Sequence, residues 1–438
     1  PAEDVVVEGS FTTRDDTKYT VEYYYEINGN YPSSTELNDV REGTTLSPVA
    51  VTEKDTIPTK EGYIFDKDYT GNVLEGTIEP EGTLVLKVYF KQQLKVVYTK
   101  GSQGTFANQE YTVKYGDTPT AFNGTPTGNA GFHFVGWDKD VTKPVTENIT
   151  FTAIWEGLQV TKTRLEIVDN DNLGNTDYVD QEGDIIRYAI TVKNIGDIKA
   201  ENIVLKDSMA VKVISVEIAG TEVEIANRGN NEFAANKDLL QGLTAGIEPN
   251  ETIVVTVEHT VTDAEVKAAL KADSKIINTA TAVLNDNPYT GTDKTVDPKD
   301  GKEEEGTEVK QRCEYRVEYH YNGQLGTDAD DVIESAAILG ATISFETPAE
   351  RKGFTYMNYE GSTTVTEGTN LIIVNYGKAV TTIEKTGSVT VDAGANIEYT
   401  LTVTNTGYVG TTVTVSDELV GTTYVPGSAN IGEPTITN

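Results

Sequence analysis

The stretch Tyr19-Thr-Val-Glu-Tyr-Tyr-Tyr25 sets the class of fold, because its β-branched and aromatic residues alternate with a period of two, the signature of a half-buried strand. It returns almost unchanged as Tyr315-Arg-Val-Glu-Tyr-His-Tyr321. Similar runs occur at LVLKVYF (84–90), YAITV (188–192) and YTLTV (399–403), bounded by Gly, Asn and Asp. One segment alone reads as a helix, TDAEVKAALKAD (262–273), with Thr262 or Asp263 as N-cap and Val266, Ala269 and Leu270 on one face. The expected fold class is therefore all-β, in several small sheets and sandwiches arranged as an elongated tandem chain.

Working outward from the repeated strand, the match continues in order. Glu42-Gly43-Thr44 answers Leu339-Gly340-Ala341, Lys60-Glu61-Gly62-Tyr63 answers Arg351-Lys352-Gly353-Phe354, and Gly82-Thr83-Leu84 answers Gly368-Thr369-Asn370. A second repeat pairs Val160-Thr-Lys162-Thr with Ile383-Glu-Lys385-Thr, and Gly183-Asp-Ile-Ile-Arg-Tyr188 with Gly394-Ala-Asn-Ile-Glu-Tyr399. It goes on through Thr191-Val-Lys-Asn-Ile-Gly196 against Thr402-Val-Thr-Asn-Thr-Gly407, and Leu205-Lys-Asp207-Ser against Val415-Ser-Asp417-Glu. The expected layout is a linker at 1–16, modules at 17–92, 93–157 and 158–296, an acidic linker at 297–311, and repeat modules at 312–379 and 380–438. The last is expected to end before its Asn-bearing strand, as part of an excised fragment.

Composition fits a chain of 438 residues divided into roughly three to five domains. The net charge of −34 repels nucleic acid and anionic membrane surfaces, which excludes both as partners. A single cysteine, Cys313, forbids an intrachain disulfide, and three histidines (His133, His259, His320) leave little for a catalytic or metal site. No P-loop, GxSxG, HExxH or paired-cysteine motif is present, and no apolar run is long enough to span a bilayer. The chain is expected to be extracellular, secreted or anchored to a cell wall, and not an enzyme.

Three resemblances give these modules content. The Y-x-V-x-Y-x-Y modules at 17–92 and 312–379 resemble the MucBP-like β-grasp repeats of Gram-positive surface proteins, which implies mucin or host-glycan binding as one alternative function. Residues 93–157, with Lys95-Val-Val-Tyr98, Tyr111-Thr-Val-Lys-Tyr-Gly116, Gly131-Phe-His-Phe-Val-Gly-Trp137 and Ile149-Thr-Phe-Thr-Ala-Ile-Trp155, resemble the Listeria–Bacteroides repeat of the internalin B-repeat type. In that reading Trp137 and Trp155 are core residues of a small sheet. Residues 158–296 resemble the Ig-like repeats of bacterial adhesins and fimbriae that form internal isopeptide bonds.

That last resemblance implies a self-crosslink. Lys162 takes the place of the nucleophile, Asn278 of the electrophile on the last strand, and Asp207 of the assisting acid, with Glu182, Asp184 or Glu201 as alternative acids. Lys385 and Asp417 recur at the matching places of the second copy. The same residues also admit a plain reading, in which Lys162 snorkels from a strand edge, Asn278 caps a strand and Asp207 begins a turn. The expected function is a stalk or fibre segment of a surface adhesin, with neighbouring domains of the same protein as partners. An accessory region of a secreted enzyme is a third alternative.

One further pattern concerns metal. Asp169, Asp171, Asp177 and Asp180 stand at EF-hand-like offsets around Gly174, although Leu173 occupies a ligand position and no flanking helices are evident. Calcium is the only cofactor the sequence suggests.

Overall fold

The structure, a computed structural model, describes residues 8–10, 12–170, 176–224, 231–241, 246–296, 303–387, 390–417, 420–423 and 425–427. It is all-β apart from one α-helix and two 3-10 turns among those residues. The chain divides into two compact units, the first made of Pro1–Thr163, Tyr188–Val257 and Asn278–Lys294, the second of Arg164–Arg187, Glu258–Ile277 and Thr295–Asn438. The expected third module, 158–296, contributes residues to both.

In the first unit, β1 (Thr17–Tyr25) pairs antiparallel with β2 (Asn38–Gly43), and β3 (Tyr63–Phe65) pairs with β4 (Val85–Thr99). At the centre β1 and β4 run parallel, with Val21 opposite Leu86 and Tyr25 opposite Phe90. Val21, Leu86, Val88 and Phe90 are completely buried, each contributing about 1.5–3 kcal/mol of transfer free energy. A buried carboxylate pins one edge: Asp55 accepts from Arg41 and from the Tyr23 hydroxyl, the latter at 2.8 Å. Arg41 holds the Asp55 carboxyl far below the ordinary carboxylate range, against the opposing push of burial.

β4 does not stop where the first module ends. Its fifteen residues carry no Gly or Pro, and Leu86, Val88, Phe90, Leu94, Val96 and Tyr98 all share one parity and are buried. Its second half pairs with β5 (Gln109–Lys114) and, in parallel, with β7 (Ile149–Glu156), which in turn pairs with β6 (His133–Trp137). The first two modules are therefore joined through one uninterrupted strand. Trp155 is 1% exposed and its indole N–H donates to the Lys100 carbonyl at 2.9 Å, which makes it the core residue the sequence suggested.

The next joint is equally short. β8 (Leu158–Val168) begins one residue after β7, and the intervening Gly157 is buried, with no room for a Cβ beside the Phe132 ring at 2.9 Å. Glu156, itself buried, accepts from the side-chain amides of Asn285 at 2.5 Å and Asn287 at 2.7 Å. Asp197 accepts the Trp155 backbone N–H at 2.9 Å, and the Ile195 N–H reaches the Gly157 carbonyl at 3.0 Å.

The remaining strands of this unit are β9 (Ile185–Asn194), β10 (Val204–Asp207), β11 (Val211–Ile218), β12 (Thr252–Thr260), β13 (Thr279–Leu284) and β14 (Asn287–Val296). They run in the order β10-β13-β14-β8-β9-β12-β11. β14 changes partner along its length. Thr279–Leu284 of β13 pairs with Asn287–Thr292, whereas Lys162 and Thr163 of β8 pair with Asp293 and Lys294. One strand thus carries the chain from one ladder to the other, as at the corner of a sandwich.

In the second unit, β15 (Arg312–Tyr321), β16 (Val332–Ile338), β17 (Phe354–Glu360) and β18 (Asn370–Gly377) repeat the first module's plan, with β15 and β18 parallel and Val317 opposite Ile372. Sequence repetition and topological repetition coincide. α1 (Asp263–Ala272) has Thr262 as its N-cap, closed by a capping box with Glu265, and buries Val266 and Ala269. β19 (Thr381–Gly387) and β20 (Tyr399–Asn405) form a two-stranded ladder.

The stretch expected as an acidic spacer, 297–311, behaves differently where it is described. Glu303–Glu305 and Glu308–Val309 are strands, the latter pairing with Tyr178–Val179, and Thr307 is fully buried and bonded in both directions to the Ile276 backbone. Among the described residues of this acidic run, Gly306 and Thr307 are buried and pin the segment.

Candidate functional site

Strand parity delivers the site. In β8, Leu158, Val160 and Lys162 face inward, so a lysine occupies a core position that two aliphatic residues announce. Parity likewise turns Asp207 inward after Leu205 on β10, and Asn278 inward ahead of Ala280, Ala282 and Leu284 on β13. On β9, Ile186, Tyr188 and Ile190 point the same way.

These side chains meet. Lys162 Nζ donates to Asp207 Oδ2 at 2.5 Å, with side-chain exposures of 0% and 1%, and it stands 4.6 Å from the centroid of the Tyr188 ring. Met209 donates its backbone N–H to the other oxygen of Asp207 at 3.0 Å. Burial pushes the Lys162 ammonium below the ordinary lysine value, with Asp207 and Asp293 opposing the shift. A buried ion pair of this kind adds little net stability, since desolvation offsets most of the Coulomb gain. Its presence in a core lined by Leu158, Val160, Ile190 and Leu205 calls for another role.

Asn278 is completely buried on the neighbouring strand. Its backbone N–H donates to Asp293 Oδ1 at 2.9 Å and its carbonyl accepts the Asp293 N–H at 2.8 Å. Its side-chain oxygen Oδ1 accepts from the Ser208 hydroxyl at 2.9 Å. Its Nδ2, by contrast, is buried with no hydrogen-bond partner. A buried amide donor left unmade costs about 1–3 kcal/mol, so the core that buries Lys162 also carries a destabilised NH2 group.

The structure thus gathers Lys162, Asp207 and Asn278, and shows two neighbours the sequence reading missed. Asp293, 1% exposed, is the register partner of Lys162, and Ser208 follows Asp207 directly. The alternating Tyr289, Gly291, Asp293 of β14 held the signal for the former. Of the alternative acids, Glu182 and Glu201 are not buried, and Asp184 accepts backbone N–H groups from Asn170 and Asp180, both at 3.1 Å, and from Gln181.

The second copy repeats the motif in a more open setting. Lys385 donates to both oxygens of Asp417, at 2.6 and 2.7 Å, and lies 4.1 Å from the Tyr399 ring centroid. Lys385, Asp417 and Tyr399 thus reproduce the grouping of Lys162, Asp207 and Tyr188. Here the lysine and aspartate are about a third exposed, at 33% and 32%.

The acidic loop does not assemble as its spacing predicted. Asp169, Asp180 and Asp184 bring carboxylate oxygens within 4.8 Å of one another, whereas Asp177 is exposed and Asp171 lies outside the described residues. Asp184 rather than Asp177 joins the cluster, and its oxygens already accept backbone N–H groups. These three carboxylates are the groups a divalent cation would have to use.

Several tyrosines of the first Y-x-V-x-Y-x-Y module pack on one another. Tyr24 stacks on Tyr89 at 4.4 Å, and Tyr31 and Tyr69 close over them. In the second copy His320 and Asn375 form the pair that corresponds to Tyr24 and Tyr89, so the aromatic face is not shared by the two repeats. Cys313 is buried and its thiol is pushed up by burial, the setting of an inert side chain.

No family model matches the chain, and no curated protein matches it. Among solved structures it is similar to the major pilin subunit of Bacillus cereus, at 12% identity over 65% of this chain and 99% of that one, with a TM-score of 0.30. The backbone pilin of Streptococcus pyogenes follows at 10% identity over 65% of this chain and 69% of that one, TM-score 0.25. The pilus backbone protein of Streptococcus pneumoniae matches at 12% over 50% and 55%, TM-score 0.18. These likenesses are partial, and the chemistry of the site stands on its own geometry.

Proposed function

We propose that this chain is a structural segment of an extracellular stalk or fibre, and that its Ig-like module locks itself with an isopeptide bond between Lys162 and Asn278. The observation that carries the reading is the unpartnered, buried Nδ2 of Asn278 in the same core as the buried Lys162–Asp207 pair.

The reaction balances within these residues. Lys162 gives one ammonium proton to the Asp207 carboxylate and becomes a neutral amine, a change that burial favours. Nζ attacks Cγ of Asn278, and a second proton passes from Nζ to Nδ2 by way of Asp207. The Cγ–Nδ2 bond breaks, ammonia leaves, and a secondary amide joins the two strands. With nucleophile and electrophile carried by strands of one core, proximity would supply much of the acceleration. The step happens once per chain and turns over no substrate, so it is a self-reaction rather than enzymatic turnover.

The mechanical reading draws on the joints as well. A single strand runs through the first two modules, and the second joint is clamped at Glu156 and Asp197. A bond from the first strand of the next module to Asn278 just before β13, across the intervening β14, would close it without a disulfide, which one cysteine could not supply. No helix of the described residues is long and apolar enough to cross a membrane. The test is intact mass under denaturing conditions. The purified chain should weigh one ammonia less than its sequence, and Lys162→Ala and Asn278→Ala should each weigh what their sequences require. A full mass for the parent chain rejects the bond.

A further inference from the structure

The proposed cross-link needs a charge acceptor that Asp207 is badly placed to be. When Nζ adds to Cγ, negative charge develops on Oδ1 of Asn278, and stabilising that oxygen is commonly the largest single contribution to acyl transfer. Asp207 is engaged with Lys162 at 2.5 Å and with the Met209 N–H at 3.0 Å. The group that touches Oδ1 is Ser208, at 2.9 Å.

The Ser208 hydroxyl is also oriented. It accepts the backbone N–H of Thr279 at 2.9 Å, which leaves its own proton for Asn278 Oδ1. Thr279 opens β13, and the Ser208 backbone N–H donates in turn to the Thr279 carbonyl at 2.8 Å. Ser208 is thus fixed by two bonds to the residue that follows the electrophile. On the far side Asp293 holds the backbone of Asn278 through both its Oδ1 and its N–H. The carboxamide is clamped with its oxygen on a donor and its nitrogen on none.

We propose that Ser208 is a catalytic residue of the self-crosslinking reaction, donating the hydrogen bond that stabilises the oxyanion on Asn278 Oδ1 while Asp207 handles the protons of Lys162. This rests on the Lys162–Asn278 reading. The division of labour follows from position: Asp207 touches the nucleophile and Ser208 touches the electrophile. The second copy differs at this point, since Asp417 is followed by Glu418 rather than serine.

The experiment compares side chains of one shape. The full chain is made by cell-free synthesis as parent, Ser208→Thr and Ser208→Val, samples are quenched in acid denaturant at intervals, and the fraction one ammonia lighter is followed by intact mass. Ser208→Thr keeps a hydroxyl and is expected to link at close to the parent rate. Ser208→Val keeps the shape without the hydroxyl and is expected to link about tenfold more slowly or worse, the loss being limited because Ser208 is at the surface end of the site. Ser208→Ala serves as a second hydroxyl-free variant, with circular dichroism to show that each variant is folded. Equal rates for folded Thr, Val and Ala variants overturn the role of Ser208 and leave the bond standing. A parent chain that never loses ammonia overturns the bond itself, and the role of Ser208 with it.

Discussion

Lys162 and Asp293 are direct partners in the parallel pairing of β8 with β14, and the backbone of Asp293 bonds on its other side to Asn278. Nucleophile and electrophile are thereby indexed to the same residue of the strand between them. Slippage of β14 by one residue would turn Asp293 outward and break the arrangement.

Gly291 protects this register. A Cβ there would lie 2.6 Å from the Val160 carbonyl oxygen, a backbone atom that cannot move aside without shifting β8. Gly291→Ala is expected to destabilise the module by about 1–3 kcal/mol and to lower the linked fraction. Urea unfolding and intact mass on the same sample check both. A variant as stable and as fully linked as the parent would show that the close approach is unimportant.

The burial of Lys162 should show in the pH dependence of stability. Its folded pKa lies below the ordinary 10.5 because of burial. The neutral amine is therefore reached more readily than for a free lysine. Asn278→Ala, which cannot link, isolates this effect at equilibrium. Between the lowered value and 10.5 its unfolded state binds more protons than its folded state, so its stability should rise with pH across that window. Denaturation midpoints that stay flat over the window would contradict the placement of Lys162 in a desolvated core.

The second joint makes its own prediction. Glu156→Ala removes the buried carboxylate that accepts from the Asn285 and Asn287 amides, at a cost of about 0.5–1.5 kcal/mol for each hydrogen bond lost. Hydrogen exchange of the Ile195 amide, which bonds to the Gly157 carbonyl, should accelerate, while the Leu86 and Val88 amides of the first module stay protected. Unchanged exchange at Ile195 would mean that Glu156 does not hold the joint.

What the sequence made legible was whatever strand parity and repetition encode. Period-two alternation gave the strands, the two copies of Y-x-V-x-Y-x-Y gave two sheets of one plan, and the Thr262 capping box gave the helix. Lys162, Asp207 and Asn278 were reached through the resemblance to isopeptide-forming Ig-like repeats, and strand parity is what turns all three inward in the fold. Asp293 and Ser208 were not legible. The first depends on β14 changing partners part way along, and the second on two hydrogen bonds that only the closed sheet creates. The acidic loop misled for the same reason, since linear spacing pointed to Asp177 where the turn brings in Asp184. The boundary placed at 92/93 falls inside a strand because Gln92 interrupts the apolar row without interrupting the backbone.

The central claim is a covalent bond between two named atoms, Nζ of Lys162 and Cγ of Asn278, and peptide mapping reads it directly. The denatured chain is digested with trypsin and sequenced by tandem mass spectrometry. A branched peptide joining the segments that contain Lys162 and Asn278, lighter than their sum by one ammonia, is the predicted result. Two separate linear peptides, with Asn278 still carrying its side-chain amide, would contradict it.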